Sequence, residues 1–445
     1  MAHQEGKRRK MIITMVIDLY GDKNNGTTVT AMRTCEALHS LGHEVRVIAY
    51  VPDSVKGDVI NGVKVLRCEK AVVPVFEGLI ESQGFTFGKT TERKIAEFIK
   101  GSDVVHLMFP FPLEVMVYHV AKVMHIPVTG AYHLQPENIT YTIHLGKCRP
   151  VNSFVYTLFR NWLYRYLRTI HTPSETMRQE MIAHHYRGDI HAVSNGVASF
   201  MHPLKAEKPK EYQDKFVITM VGRLSGEKRQ ELIIKAIGKS RYNEKIQLIL
   251  CGLGPKQNRY LKLASKYLKN PISIRFVKQD ELREILNYSD LYVHSSDVES
   301  EAIACIEAFS CGLVPVISDS PYTATRHFSL DEHCLFEAGN YRSLMKKIEF
   351  FMENPDYKKA LSAKYIEYSK EFELFSKVKE LVSMMELEIQ RDKEDRKKER
   401  TYYSSASERR KLLKTAEKIG MENPIIYKKD IYHSKEKKDY FNKKN

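Results

Sequence analysis

Short apolar runs, each followed by an amphipathic stretch, divide the chain into two similar halves. In the first half the runs are "MIITMVI", "EVRVIAY", "DVVHLMF", "PVTGAYH" and "TIHTPSE", with helical patterns such as "TTVTAMRTCEALHSLGH" and "LEVMVYHVAKVMH" between them. In the second they are "FVITMVG", "IQLILCG", "ISIRFV", "LYVHSS" and "LVPVIS", alternating with "KRQELIIKAIGKS", "ELREILNYS" and "EAIACIEAFSCG". Alternating strand and helix patterns of this kind predict parallel βαβ construction. Both halves therefore read as Rossmann-like α/β domains, residues 11–200 and 216–355, joined by the polar stretch "ASFMHPLKAEKPKEYQDK". Residues 356–390 are a charged helical region expected to cross back, and 391–445 a basic tail. Two such domains facing each other leave a cleft at the carboxyl ends of their strands, where open α/β sheets bind ligands.

A chain of 445 residues accommodates two domains. No apolar run approaches the roughly 18–20 residues of a membrane span. The amino-terminal "KRRKMIITMVID" imitates a signal peptide, but Asp18 ends the apolar stretch after Met11–Ile17, so a buried strand is the better reading. Seven cysteines without a C-x-x-C spacing suggest neither a disulfide framework nor a zinc site, and a cytoplasmic chain is expected. The net charge is +15, and from Arg391 onward 18 Lys/Arg face 10 Asp/Glu, which places +8 in the tail. A basic tail suits an anionic membrane face, nucleic acid or a solvated extension. Nucleic acid is disfavoured, because the excess is concentrated in the tail and no nucleic-acid motif occurs.

Candidate chemistry sits just after strands. "FVITMVGRLSGEKRQELIIKA" runs from a strand through Gly222, Arg223 and Lys228 into a helix. Gly222 lets a ligand approach the backbone, and the two cations suit an anionic group such as a diphosphate. Gly252 in "LILCGLGPKQ" adds a weaker signal, with plain tight-turn geometry as its alternative. The segment "SSDVESEAIACIEAFSCGLVPVIS" places Glu299, Glu301 and Glu307 among apolar residues. Buried carboxylates need partners. Backbone N–H groups from Ser300 through Ala302 to Ile303 would face phosphate oxygens at a helix N-terminus, and the carboxylates would accept from sugar and ribose hydroxyls. Cation for phosphate and carboxylate for hydroxyl describe a nucleotide sugar. A buried ion-pair network is the alternative.

"VGRLSGEK" and the eight-residue spacing of Glu299 and Glu307 resemble the retaining GT-B glycosyltransferases of family 4, over roughly residues 11–385. More narrowly, "GAYHLQPENITY", "AVSNGV", "VESEAIACIEAFSCGLVPVISDSPYTATRHFSLDE" and "CLFE" are similar to bacterial sterol α-glucosyltransferases, with diacylglycerol glucosyltransferases as near neighbours. The resemblance implies a GT-B fold and transfer of glucose from UDP-glucose to a lipid hydroxyl at a membrane surface. It assigns Arg223 and Lys228 to the donor diphosphate, Glu307 to the ribose and Glu299 to the glucose hydroxyls. His133 would lie beside the transferring sugar, Gly26 would open the first helix near the phosphates, and Val277 would join the donor contacts. Two positions depart from the family pattern: Glu301-Ala302 stand where Phe-Gly is common, and Lys278 replaces a glycine, which bears on base selectivity.

No Asp-x-Asp occurs, so no catalytic metal is expected, and Arg223, Lys228 and helix N-termini would do the charge work at the leaving phosphate. No acidic residue of the first half stands out as a nucleophile; front-side attack is what the family implies. "VNSFVYTLFRNWLYRYLRTIH" mixes Phe159, Trp162 and Tyr166 with Arg165, which suits a bilayer interface, core packing being the alternative. Phe109 and Phe111 in "FPFPLE" could line an apolar acceptor tunnel. The sequence thus predicts a peripheral enzyme of the cytoplasmic membrane face acting on a nucleotide sugar and a lipid. Carrier-lipid oligosaccharide synthesis is the other enzymatic reading.

Overall fold

A computed structural model describes residues 9–21, 26–72, 86–143, 145–397 and 405–421. The first unit carries β1 (Ile12–Leu19), β2 (Glu44–Tyr50), β3 (Val59–Ile60), β4 (Val63–Ala71), β5 (Phe87–Lys89), β6 (Val104–Leu107), β7 (Val128–Ala131), β8 (Thr169–Thr172) and β9 (Asp189–Ala192). Their order is β3-β4-β2-β1-β6-β7-β8-β9, with β5 on β4. Only β3 and β5 run antiparallel to their neighbour. Side chains alternate between faces: Ile13, Met15 and Ile17 pack with Val45, Val47 and Ala49 on one side, Val16 and Ile48 on the other. The charged "VKVLRCEKA" forms β4 although no apolar run marks it, because only every second or third side chain is buried.

The second unit holds β10 (Phe216–Val221), β11 (Ile246–Cys251), β12 (Ser273–Arg275), β13 (Leu291–His294), β15 (Pro315–Ser318) and β17 (Leu335–Phe336), in the order β12-β11-β10-β13-β15-β17. A separate two-stranded pair joins β14 (Val298–Glu299) to β16 (Tyr322–Thr323). The strand order reverses direction between β10 and β13. The loops leaving these two strands, 222–229 and 295–302, therefore flank a switch point, the crevice of an open parallel sheet.

The carboxyl-terminal part returns to the first unit. The helix Leu374–Lys397 buries Leu374, Val378, Leu381, Val382, Met385 and Ile389 in the core with β1 and β2. Arg168 reaches Glu388 at 2.9 and 3.0 Å and Asp395 at 2.5 Å, and Arg391 reaches Asp189 at 2.8 Å. The basic segment expected outside the fold is thus partly inside it. The helix Ala406–Lys418 lays Leu412 and Ala416 on Val123, and Tyr118 donates to Glu408 at 3.1 Å. The sequence pattern misled because this helix has five Lys/Arg among thirteen residues and only a narrow apolar stripe. Residues 422–445 of that tail lie outside the described residues.

Met385 is fully buried between the returning helix and the first sheet. Met385→Ala should cost about 2–5 kcal/mol, read as a lower urea midpoint with an unchanged m-value.

Candidate active site

The loop after β10 and the loop after β13 are hydrogen-bonded to each other through backbone carbonyls of the first. Asp297 N–H donates to Glu227 O at 2.8 Å and Ser295 Oγ to Lys228 O at 2.8 Å. Gln230 Nε2 closes the turn on Arg223 O, also at 2.8 Å. Gly222 and Gly252 lie at φ +148° and +153°, and a Cβ on Gly252 would stand 2.2 Å from Gly222 O. Two strand ends converge here so closely that no side chain fits between them. Arg223 is half-buried, and burial pulls its pKa downward.

Each of the three glutamates meets a different partner. Lys228 Nζ donates to Glu299, which also accepts from His294 Nε2 at 3.1 Å and Ser296 Oγ at 2.9 Å. Burial works to raise the Glu299 pKa, but the Lys228 charge and the His294 bond outweigh it and hold the carboxyl well below the usual range. Glu307, on the helix Ile303–Ser310, accepts two bonds of 3.0 Å from Arg33 of the opposite unit. Arg33 also donates to Gln279 at 2.7 Å. Burial raises Glu307, against the pull of Arg33. Glu301 accepts from Ser194 Oγ, from Asn195 Nδ2 at 2.5 Å and from the Asn195 N–H at 3.2 Å to both oxygens. Burial pushes Glu301 up to about 7.

The structure therefore displays the buried ion-pair network at the place where the sequence reading put hydroxyl acceptors. Glu299 and Lys228, expected on glucose and diphosphate, touch each other, and Glu307, expected on ribose, holds Arg33. A buried carboxylate without a counter-charge is costly, so protein groups supply it. Arg33 was missed because it sits on the polar side of the helix Gly26–Ser40, with nothing local to mark it. Ala302, at the position of the common glycine, adopts φ +65° as the cap of the helix Ile303–Ser310. Ser300 presents its C=O to Ser174 Oγ of the first unit at 2.6 Å. Ile303 begins the helix, and Val277 packs against the second core. Gly26 opens the helix Gly26–Ser40, with open space where a Cβ would be.

On the first unit three histidines gather at the ends of adjacent parallel strands. His133 and His171 have ring centroids 5.1 Å apart, and His171 and His106 6.2 Å. His171 Nε2 donates to Val193 O at 2.7 Å, and His106 Nδ1 meets Thr129 Oγ1 at 2.8 Å. Burial first, and the neighbouring rings second, lower His133 well below its ordinary value and His106 to about 3; burial takes His171 to about 4. The cluster is uncharged at neutral pH. His171 carried a sequence signal that went unused: "TIHT" repeats the histidine near the end of "VVHL", two strands away in the sheet. Two acids of this unit are buried without being marked as such in the sequence reading. Asp18 and Glu114 are buried, each raised by burial, Asp18 to about 7. Each lies alone in an apolar run, so only the fold makes them neighbours.

The expected acceptor residues split into two groups. Phe111 stands between Phe87, Phe109 and Phe159, at 4.9, 5.4 and 6.4 Å, in a mostly buried aromatic group. Trp162 is 47% exposed and shares the outer face of the helix Arg149–Trp162 with Phe154 and Leu158. Tyr166 stacks on Tyr118 with Arg165 over its ring. The stretch read as one aromatic helix is a helix with an inner and an outer face, followed by a turn and β8.

Ala302→Gly should stabilise by about 0.5–1 kcal/mol, since a left-handed alanine is strained and glycine is not, measured as a raised thermal midpoint. For Glu301 the folded pKa of about 7 exceeds the ordinary 4.5. The wild type therefore loses stability relative to Glu301→Gln as pH rises from 4.5 through 7, by on the order of 3 kcal/mol. Urea unfolding of both proteins at pH 5 and pH 8 measures the difference.

Residues 24–199 match Glycosyltransferase Family 4, and residues 202–372 match Glycosyl transferases group 1. The alpha-monoglucosyldiacylglycerol synthase of Acholeplasma laidlawii is 24% identical over 66% of this chain and 76% of its own. A GDP-mannose-dependent alpha-mannosyltransferase of Corynebacterium glutamicum is 25% identical over 69% of this chain and 72% of its own. The solved catalytic domain of cholesterol-alpha-glucosyltransferase from Helicobacter pylori is 45% identical, covering 35% of this chain and 96% of that one, at a TM-score of 0.34. The Anabaena HepE structure in complex with UDP and glucose superimposes at a TM-score of 0.64 over 84% of this chain and 99% of its own, at 14% identity. The chain belongs to the GT-B glycosyltransferases, with a family 4 domain followed by a group 1 domain.

Proposed function

We propose that this glycosyltransferase moves glucose from UDP-glucose to the hydroxyl of a membrane lipid, a sterol or a diacylglycerol, with retention at the anomeric carbon. The observation that carries this reading is the meeting of Arg223, Lys228, Glu299 and the N-terminus of the helix Ile303–Ser310 around one switch point, with Glu307 on the same helix. The two cations and the helix N-terminus would neutralise a diphosphate. Ribose and glucose hydroxyls would enter the hydrogen-bond positions that Arg33 and Lys228 fill on Glu307 and Glu299. The uncharged histidine cluster opposite suits a hydrogen-bonding role at the transferring sugar better than proton abstraction. The acceptor oxygen then bonds the anomeric carbon on the face that the phosphate leaves, and the departing phosphate oxygen takes the hydroxyl proton. Arg223 and Lys228 supply the compensating charge without a metal.

The lipid side of the reading rests on the aromatic group around Phe111 and on the outer face of the helix Arg149–Trp162. Phe154, Leu158 and Trp162 recur at helical spacing on that face. Ile143 and Leu145 are exposed just before the helix, and Lys147, Arg149 and Arg165 are exposed beside it. Apolar anchors ringed by cations suit an anionic bilayer surface. No described helix is long and apolar enough to cross a membrane, so peripheral attachment is the mode proposed. A lipid-acting relative supports the acceptor class, and the GDP-mannose-dependent relative makes a mannosyl donor the second reading.

Glu307→Ala and Lys228→Ala should each cut transfer at least about tenfold, some 1.4 kcal/mol of barrier, with the fold intact; near-normal turnover by both removes the donor-site assignment. Labelled UDP-glucose offered with anionic liposomes should give solvent-extractable label only when cholesterol or diacylglycerol is present. Label from GDP-mannose instead would overturn the donor. The triple change Phe154→Ser, Leu158→Ser, Trp162→Ser should weaken vesicle sedimentation while sparing turnover in detergent.

A further inference from the structure

Glu301 is the one glutamate of its segment that the donor chemistry leaves unused, and its partners lie on the connection between the units. The chain passes between the units at residues 193–201 and again at 370–374. The two crossings run side by side. Val197 N–H donates to Phe372 O at 2.7 Å and Leu374 N–H to Val197 O at 3.0 Å. Gly196, at φ +76°, passes so near that a Cβ would stand 2.7 Å from the Leu374 Cα. The two adjacent crossings are the covalent links between the units, the place a hinge between them would occupy.

Glu301 grips the first crossing. Its carboxylate takes Ser194 Oγ, the Asn195 amide and the Asn195 N–H, and Ser194 Oγ itself accepts from Gly196 N–H at 3.1 Å. In the opposite direction Glu301 is bonded directly to Ser300 and to Ala302, the left-handed cap of the helix Ile303–Ser310. Glu299, two residues away, is anchored on Lys228. Glu301 is only 3% exposed. Leaving a buried carboxylate unpaired is costly, so a turn at the crossings would keep the grip and carry the loop with it.

We propose that Glu301 is a positioning residue that couples the interunit hinge to the loop 299–302 and the N-terminus of the helix Ile303–Ser310. Cleft closure and ordering of that loop are then one event. The coupling itself needs no particular ligand; calling the loop a phosphate site rests on the preceding reading.

The test compares wild type, Glu301→Ala, Asn195→Ala, the double variant and the milder Glu301→Gln and Asn195→Ser. Amide hydrogen exchange is followed by mass spectrometry over residues 299–305 and, as a folding control, over β10 and β11. UDP affinity is measured by calorimetry. Either alanine change should speed exchange of the loop at least tenfold while β10 and β11 keep the wild-type rate. The double variant should be no faster than the singles, Glu301→Gln should fall between, and UDP binding should weaken tenfold or more in step. Wild-type loop exchange in Asn195→Ala, or multiplicative effects in the double variant, would overturn the proposal. If an alanine variant unfolds, the milder pair decides by the same criterion. Coupled exchange in a chain that ignores UDP supports the hinge link and counts against the nucleotide reading alone.

Discussion

Three carboxylates are withdrawn from water within nine residues, Glu299 to Glu307, and the arrangement of the two units follows from what that withdrawal requires. Burying a charge costs several kcal/mol unless a partner compensates it. Glu299 finds partners in its own unit, Glu301 in the connecting chain and Glu307 in the opposite unit. One short segment is therefore bonded to every part of the molecule that must come together at a cleft. Contacts of Ser174 with Ser300, Gln135 with Tyr322 and Tyr141 with Asp297 reinforce the same face.

The two sides of the cleft differ electrically. The second unit brings charge: Arg223, Lys228, Arg229 and their carboxylates, held in fixed geometry by loops that bond each other. Apart from Arg33 on Glu307, the first unit brings aromatic rings and histidines kept neutral chiefly by burial. Such a division matches a reaction in which a charged leaving group departs on one side and an uncharged hydroxyl arrives on the other. Burial also holds the first unit's acids Asp18 and Glu114 above the ordinary carboxylate range.

The returning helix completes the first unit. Its apolar face completes the core beside β1 and β2, while Glu388, Arg391 and Asp395 pair with Arg168 and Asp189 at the far end of the sheet. The helix Ala406–Lys418 continues this cover over the helix Pro112–Val123. Hinge rotation consequently acts between a first unit closed by the end of the chain and a second unit complete in itself.

Much of the fold was legible in the chain. Buried parallel strands are apolar runs, and nine of them were quoted within a few residues of their observed bounds, because a strand covered on both faces tolerates little else; the tenth run, "ISIRFV", marks the edge strand β12, which buries no side chain fully. The partly solvated strand β4 and the docked helix Ala406–Lys418 were not legible, since such an element keeps its charges and only contact shows which side is inside. At the site, the residue types and loops were readable: glycine, arginine and lysine after β10, glutamates after β13. The partners were not. Arg33 lies 274 positions from Glu307, and Asn195 lies 106 from Glu301. Local pattern reports which side chains must be buried. Which distant group meets a buried charge is decided only when the chain closes, because compensation depends on distance in space and not along the sequence.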